Sequence, residues 1–132
     1  MKLSNTPSNL SELPIYRKAL EIFALSQNIS VYLNHDLSTL REDGSEDQNI
    51  YFSGDIVQQS VSLAPEIMNA ELERHSERKY KHIASLKRLT NLLYKNSYRL
   101  ERSNSNGKDF LPVLRRELKK FKKLQSSWML TL

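Results

Sequence analysis

Apolar residues recur along this chain at steps of three and four, over four separate stretches, and each stretch predicts a helix. In the first, Ile15, Ala19, Ile22, Ser26, Ile29 and Leu33 form a seam at alternating steps of four and three. Ser11 offers an N-cap for it, with Glu12 and Pro14 suited to the first turn. The second helix is expected from Asn49 toward Arg74, with Phe52, Ile56, Leu63, Ile67 and Ala70 on one face. Val57, Val61, Ala64 and Met68 make an adjoining face, and Pro65 should bend the helix or break one hydrogen bond. The third follows a short turn at His75–Ser76, with Ser76 as its N-cap; it gathers Ile83, Leu86, Leu89, Thr90, Leu93, Ser97 and Leu100 on one side. The fourth is capped by Asp109, tolerates Pro112 in its first turn and lines its inner face with Leu111, Leu114, Leu118, Phe121, Gln125 and Trp128. No strand-like alternation competes with these patterns. They predict an all-α fold, an antiparallel up-down four-helix bundle.

At 132 residues the chain is one domain, with residues 11–132 expected to form the bundle and residues 1–10 a flexible tail. Residues 36–49, with five acids, one arginine and Gly44, read as a solvated acidic loop. The apolar arcs of the first two helices are wider than one neighbouring layer requires. Tyr16, Leu20 and Phe23 widen the first, and Val57, Val61 and Met68 the second. Two readings fit: a subunit interface with further copies of the chain, or a central helix in a monomer.

Charge changes the picture next. Residues 1–73 carry four Lys and Arg against eleven Asp and Glu, a net of −7, whereas residues 74–132 carry sixteen against four, a net of +12. On the third helix Arg74, Arg78, Lys81, Arg88, Lys95, Arg99 and Arg102 fall opposite the apolar face, at spacings of 4, 3, 7, 7, 4 and 3. At 1.5 Å per residue they extend over about 42 Å. Arg115, Arg116, Lys119, Lys120, Lys122 and Lys123 cover the outer face of the fourth helix. Such surfaces can track a phosphate backbone, RNA or DNA, in a salt-dependent and largely sequence-indifferent way. The candidates for phosphate contact are the seven residues of the third helix together with Arg115, Arg116, Lys119, Lys120 and Lys123. The simpler account is solvation, since Lys and Arg are good helix formers. Tyr80, Tyr94 and Tyr98 border the cationic face. They edge the core with wet hydroxyls in the simpler reading and stack on unpaired bases in the other.

Several chemistries find no support. There is no cysteine, so neither a disulfide framework nor a thiolate metal site is available. The three glycines are isolated, which excludes a phosphate-cradling loop, and there is no Gly-x-Ser-x-Gly elbow. Asp43, Glu46 and Asp47 are hard oxygen ligands but lack EF-hand spacing. Glu71, His75 and His82 supply only fragments of a di-metal carboxylate motif. No enzyme, cofactor, metal or small-molecule substrate is therefore expected. No apolar run approaches the roughly 18 residues of a membrane span. The opening MKLSNTPSNL has no apolar core of a secretory signal, so a cytoplasmic protein is expected.

Residues 13–128 also resemble a known family. Leu13-Pro14-Ile15-Tyr16-Arg17-Lys18-Ala19-Leu20-Glu21 resembles its opening helix. Val61-Ser62-Leu63-Ala64-Pro65, followed by Asn69-Ala70-Glu71, is similar to its mid-helix proline segment. Lys79-Tyr80 through Leu93 is similar to its third helix, and Ser126-Ser127-Trp128 to its small-small-Trp ending. The family comprises the four-helix-bundle proteins encoded in intervening sequences of bacterial 23S ribosomal RNA genes, with the accessory variability determinants of diversity-generating retroelements. The resemblance implies a homopentameric barrel of bundles with a basic surface. In the retroelement branch it further implies a reverse-transcriptase partner and RNA or DNA binding, with no catalytic site. The expectation is a non-catalytic, oligomeric nucleic-acid-binding accessory protein. The alternative is a protein–protein interaction scaffold whose cations meet carboxylates.

Overall fold

The computed structural model describes residues 9–37, 42–45, 47, 49–103 and 106–132. Among these the fold is entirely helical, compatible with a helical bundle. Helix α1 spans Pro14–Leu37, α2 Asn49–Val61, α3 Leu63–Leu72, α4 Ser76–Leu100 and α5 Leu111–Met129. α1 packs against α2 and α5, and α4 against α2, α3 and α5, so the apolar seams meet at one centre. Ile15, Ile22, Ile29, Leu33, Ile56, Leu63, Ile67, Leu86, Leu93, Leu111 and Phe121 are all buried there. The polar residues that share those seams are buried too. Thr90 Oγ1 donates to the Leu86 carbonyl at 2.8 Å and lies 3.4 Å from Gln125 Oε1, linking α4 to α5. Ser30 and Ser53 hydroxyls meet at 2.9 Å across α1 and α2, and two small residues at that crossing let the backbones approach.

The boundaries differ from the sequence expectations in several places. Ser11 is not an N-cap: it lies inside a 3-10 turn, Leu10–Glu12, and α1 begins at Pro14, whose missing N–H costs nothing at a helix start. Leu10 is buried in the core, so the last part of the expected tail belongs to the fold; residues 1–8 lie outside the described residues. The acidic loop is shorter than 36–49, because α1 continues to Leu37, which is buried against the core.

The second helix is interrupted at Ser62, the loss of a hydrogen bond expected of Pro65. Pro65 has no N–H for the Val61 carbonyl, and its ring crowds that group, so the helical hydrogen-bond ladder lapses just after Val61 although Ser62 keeps near-helical backbone angles. Ser62 Oγ instead donates back to the Gln58 carbonyl at 3.1 Å. α3 then stops at Leu72, short of Arg74. At α4 the capping position falls on His75, without a side-chain cap, and Ser76 is the first helical residue. Asp109 does not cap the last helix; it sits within a 3-10 turn, Asn106–Phe110, and Phe110 occupies the cap position of α5.

That 3-10 turn lies hard against α1. A Cβ added at the buried Gly107 would stand 3.1 Å from Tyr32 Cβ and 3.2 Å from the Leu33 backbone nitrogen. Phe110 stacks on Tyr32 beside it, with ring centroids 5.4 Å apart. Because a helix backbone yields little, Gly107→Ala is expected to lower stability by about 1–2 kcal/mol. Urea unfolding measures this, and an unchanged midpoint would contradict the close approach.

Candidate nucleic-acid interface

The core seam of α4 fixes how that helix is rotated, and so decides where its cations go. With Ile83, Leu86, Thr90, Leu93, Ser97 and Leu100 buried, Lys81, Arg88 and Lys95 come to the outward face, and Arg78 to the border toward α3. All four are exposed, and among the described residues none of them is paired with a carboxylate. Leu92 is exposed among these cations. The expected stripe is shorter than its seven members. Arg74 falls in the link before α4, and Arg102 in the turn beyond it. Arg99 turns back across the bundle, its guanidinium carbon 4.4 Å from the centroid of the Phe52 ring on α2.

On α5 the six cations divide sharply. Arg115 is largely buried, with 14% of its side chain exposed, and its Nη2 bonds Glu101 Oε2 at 2.6 Å. Its guanidinium lies over the Tyr98 ring at 4.7 Å, so it pins α5 to the end of α4. Glu117 gathers two others, Lys120 at 3.1 Å and Arg116 at 3.9 Å, together with Lys18 of α1 at 2.9 Å. Lys122 sits over the Tyr94 ring at 4.9 Å. Lys119 and Lys123 are exposed, with no carboxylate partner among the described residues. Arg115, Arg116 and Lys120, expected as phosphate contacts, are thus brought to intrachain carboxylates, although Arg116 and Lys120 keep most of their surface in water.

The surface with the best claim on a polyanion is therefore the outer side of α4 and the neighbouring border of α5. Arg78, Lys81, Arg88 and Lys95 come from one helix and Lys119 and Lys123 from the other. Lys87 joins them from the α5-facing border of α4. It was missed by reading only the residues opposite the apolar face. Tyr80, Lys87 and Tyr94 recur at intervals of seven, a repeat that marks this border. Tyr94 is half-buried and edges the core, whereas Tyr80 and Tyr98 stand out in solvent.

Away from this surface, the expected interface residues behave differently. Leu20 and Val61 are 47% and 41% exposed, and Tyr16, Phe23, Val57 and Met68 are half-buried. Helical spacing sets all six along the junction of α1 with α2 and α3. Of the histidines, His82 turns its Nδ1 to Glu66 Oε2 at 3.4 Å across α3 and α4. Among the described residues no group of three or more His, Asp and Glu is arranged to hold a metal, and Asp43 and Asp47 accept turn hydrogen bonds from Ser45 and Asn49. No helix there is long and apolar enough to cross a membrane.

Hydrogen bonding, chiefly to Glu117 and then to Glu21, holds Lys18 protonated above the ordinary lysine range. The same bond from Lys18, with a second from Lys120, holds the Glu117 carboxyl below the usual carboxylate range. The Glu117 contribution is complete above the unfolded pKa of about 4.3 and fades as pH falls through the lower folded value. The Lys18 contribution is complete below about 10.4 and fades as pH rises through the higher folded value. Glu117→Gln should accordingly flatten the acid limb of stability against pH between about 5 and 3 in urea titrations. An acid limb as steep as the wild type's would show that Glu117 is not the group responsible. Arg115→Ala should cost about 1–2 kcal/mol, read in the same assay, because it strands Glu101 and uncovers Tyr98. A surface-like change of a few tenths would contradict the anchoring role.

No protein-family model, curated protein or solved structure matches the chain.

Proposed function

We propose that this chain is a non-catalytic, oligomeric accessory protein that binds nucleic acid through α4 and the adjoining border of α5. The observation that carries this reading is the set of exposed cations Arg78, Lys81, Arg88 and Lys95, with Lys119 and Lys123 beside them, none of which has a carboxylate partner among the described residues. The α4 cations differ from those of the Glu117 and Glu101 clusters, which serve the chain's own carboxylates. A scaffold whose cations meet a partner's carboxylates would use the same face, and RNA binding separates the two readings. Like charges held this close repel one another unless an anion neutralises them, and a phosphate backbone does so while releasing counterions.

The remaining parts of the reading have separate support. Cross-helix contacts run in opposite order along neighbouring helices: Lys18 meets Glu117 while Tyr32 meets Phe110, and Tyr94 meets Lys122 while Tyr98 meets Arg115. That order favours an up-down bundle. The half-open apolar junction of α1 with α2 and α3 would be covered by further copies of the chain, five in the arrangement the family resemblance implies. The same resemblance supplies the reverse transcriptase as protein partner. Binding at α4 leaves the apolar junction free for assembly, so the two roles do not compete.

Two measurements test this. Binding of a mixed-sequence RNA should weaken steeply with salt, and reversing Arg88 and Lys95 to Glu should lower the slope of log K against log salt by roughly 1.5. An unchanged slope would move the site elsewhere, and no binding at low salt would remove it. Light scattering at micromolar concentration should show an assembly larger than one chain, which Leu20→Glu with Val61→Glu dissociates. A wild-type monomer would overturn the oligomer.

A further inference from the structure

Tyr80 and Tyr98 are exposed to 71% and 50%, among cations, on the α5-facing border of α4. An exposed tyrosine gains little from the core, and among the described residues no packing contact accounts for Tyr80. Tyr98 has one face under the Arg115 guanidinium, neighbours Lys95 and keeps half of its surface in solvent. Tyr32 differs in being covered by another ring, that of Phe110. At the other end, Tyr80 lines a cleft of about 230 Å³ together with Arg74, Lys79, Ser76, Ile83 and Met129. Here an aromatic wall, an apolar floor and two cations converge. Tyr94, with Lys122 over its ring, stands between the two along the same border.

From these placements we infer that the surface takes unpaired rather than duplex nucleic acid, one base seating against Tyr80 in the cleft and another stacking near Tyr98. The inference rests on the nucleic-acid reading proposed above and narrows its ligand. The two rings are eighteen residues apart, about 27 Å along the helix, enough for roughly four nucleotides or more, the lower end of single-strand site sizes. Every base presents a π-face, so stacking of this kind is indifferent to sequence, as the scattered cations also are. In a duplex those faces are already stacked on neighbouring bases. A rigid double helix would gain from the lysines and arginines but nothing from the rings.

The test compares a labelled, unstructured RNA of roughly 20 nucleotides with the same strand annealed to its complement, by fluorescence anisotropy at matched salt. The wild type should prefer the single strand. Tyr80→Leu and Tyr98→Leu should each weaken single-strand binding about tenfold and leave duplex binding unchanged. Tyr80→Phe and Tyr98→Phe, which keep the ring, should restore it; helicity by circular dichroism confirms that each variant is folded. Equal affinity for both forms, or Leu variants that bind the single strand as well as the wild type, would overturn the inference and leave salt-dependent binding at α4 standing. Failure of either nucleic acid to bind at low salt would overturn both.

Discussion

The rotation of α4 about its own axis is the constraint from which the surface follows. Ile83, Leu86, Thr90, Leu93, Ser97 and Leu100 are buried together, and no other rotation buries them. Turning the helix by a third would expose several of these side chains at roughly 1.5–3 kcal/mol apiece and drive lysine or arginine into an apolar centre. Core packing therefore aims the cations outward without any contact of their own. The Thr90–Gln125 approach at 3.4 Å accompanies this, two buried polar side chains meeting where α4 packs on α5.

The same constraint explains why cations of similar appearance have different surroundings. Those on the outer face of α4 are exposed and have no carboxylate partner among the described residues. Those on the borders of α5 stand within reach of a neighbouring helix, and there they find Glu117, Glu101 or an aromatic ring. Arg115 and Glu117 serve the fold first, as bridges that seat α5 on α4 and α1. Lys119 and Lys123 carry the charge that remains. The molecule thus has a basic side built from its second half and a half-open apolar junction built from its first. A nucleic acid and further copies of the chain can be accommodated on separate surfaces.

Much of this was legible in the sequence. The inner faces of α1, α4 and α5 could be read residue by residue, including their buried polar members Ser26, Thr90, Ser97 and Gln125, because a 3.6-residue period places a residue on a face whatever its chemistry. What could not be read depends on contacts between helices. Whether Arg99 faces solvent or Phe52, and whether Arg115 faces phosphate or Glu101, is decided by the approach of a second element that periodicity does not locate. The interruption at Ser62, by contrast, was legible locally, since the lesion from a proline appears at the carbonyl four residues earlier. Leu10 and the 3-10 turn at Gly107 were missed because one anchoring leucine or one buried glycine makes no period at all.

The central claim is that α4 and the border of α5 meet the nucleic acid. Lysine acylation footprinting by mass spectrometry, with and without bound RNA, tests it most directly. Lys81, Lys87, Lys95, Lys119 and Lys123 should become protected together, while Lys18 and Lys108 keep their reactivity. Protection of Lys18 and Lys108 with α4 left fully reactive would contradict the account.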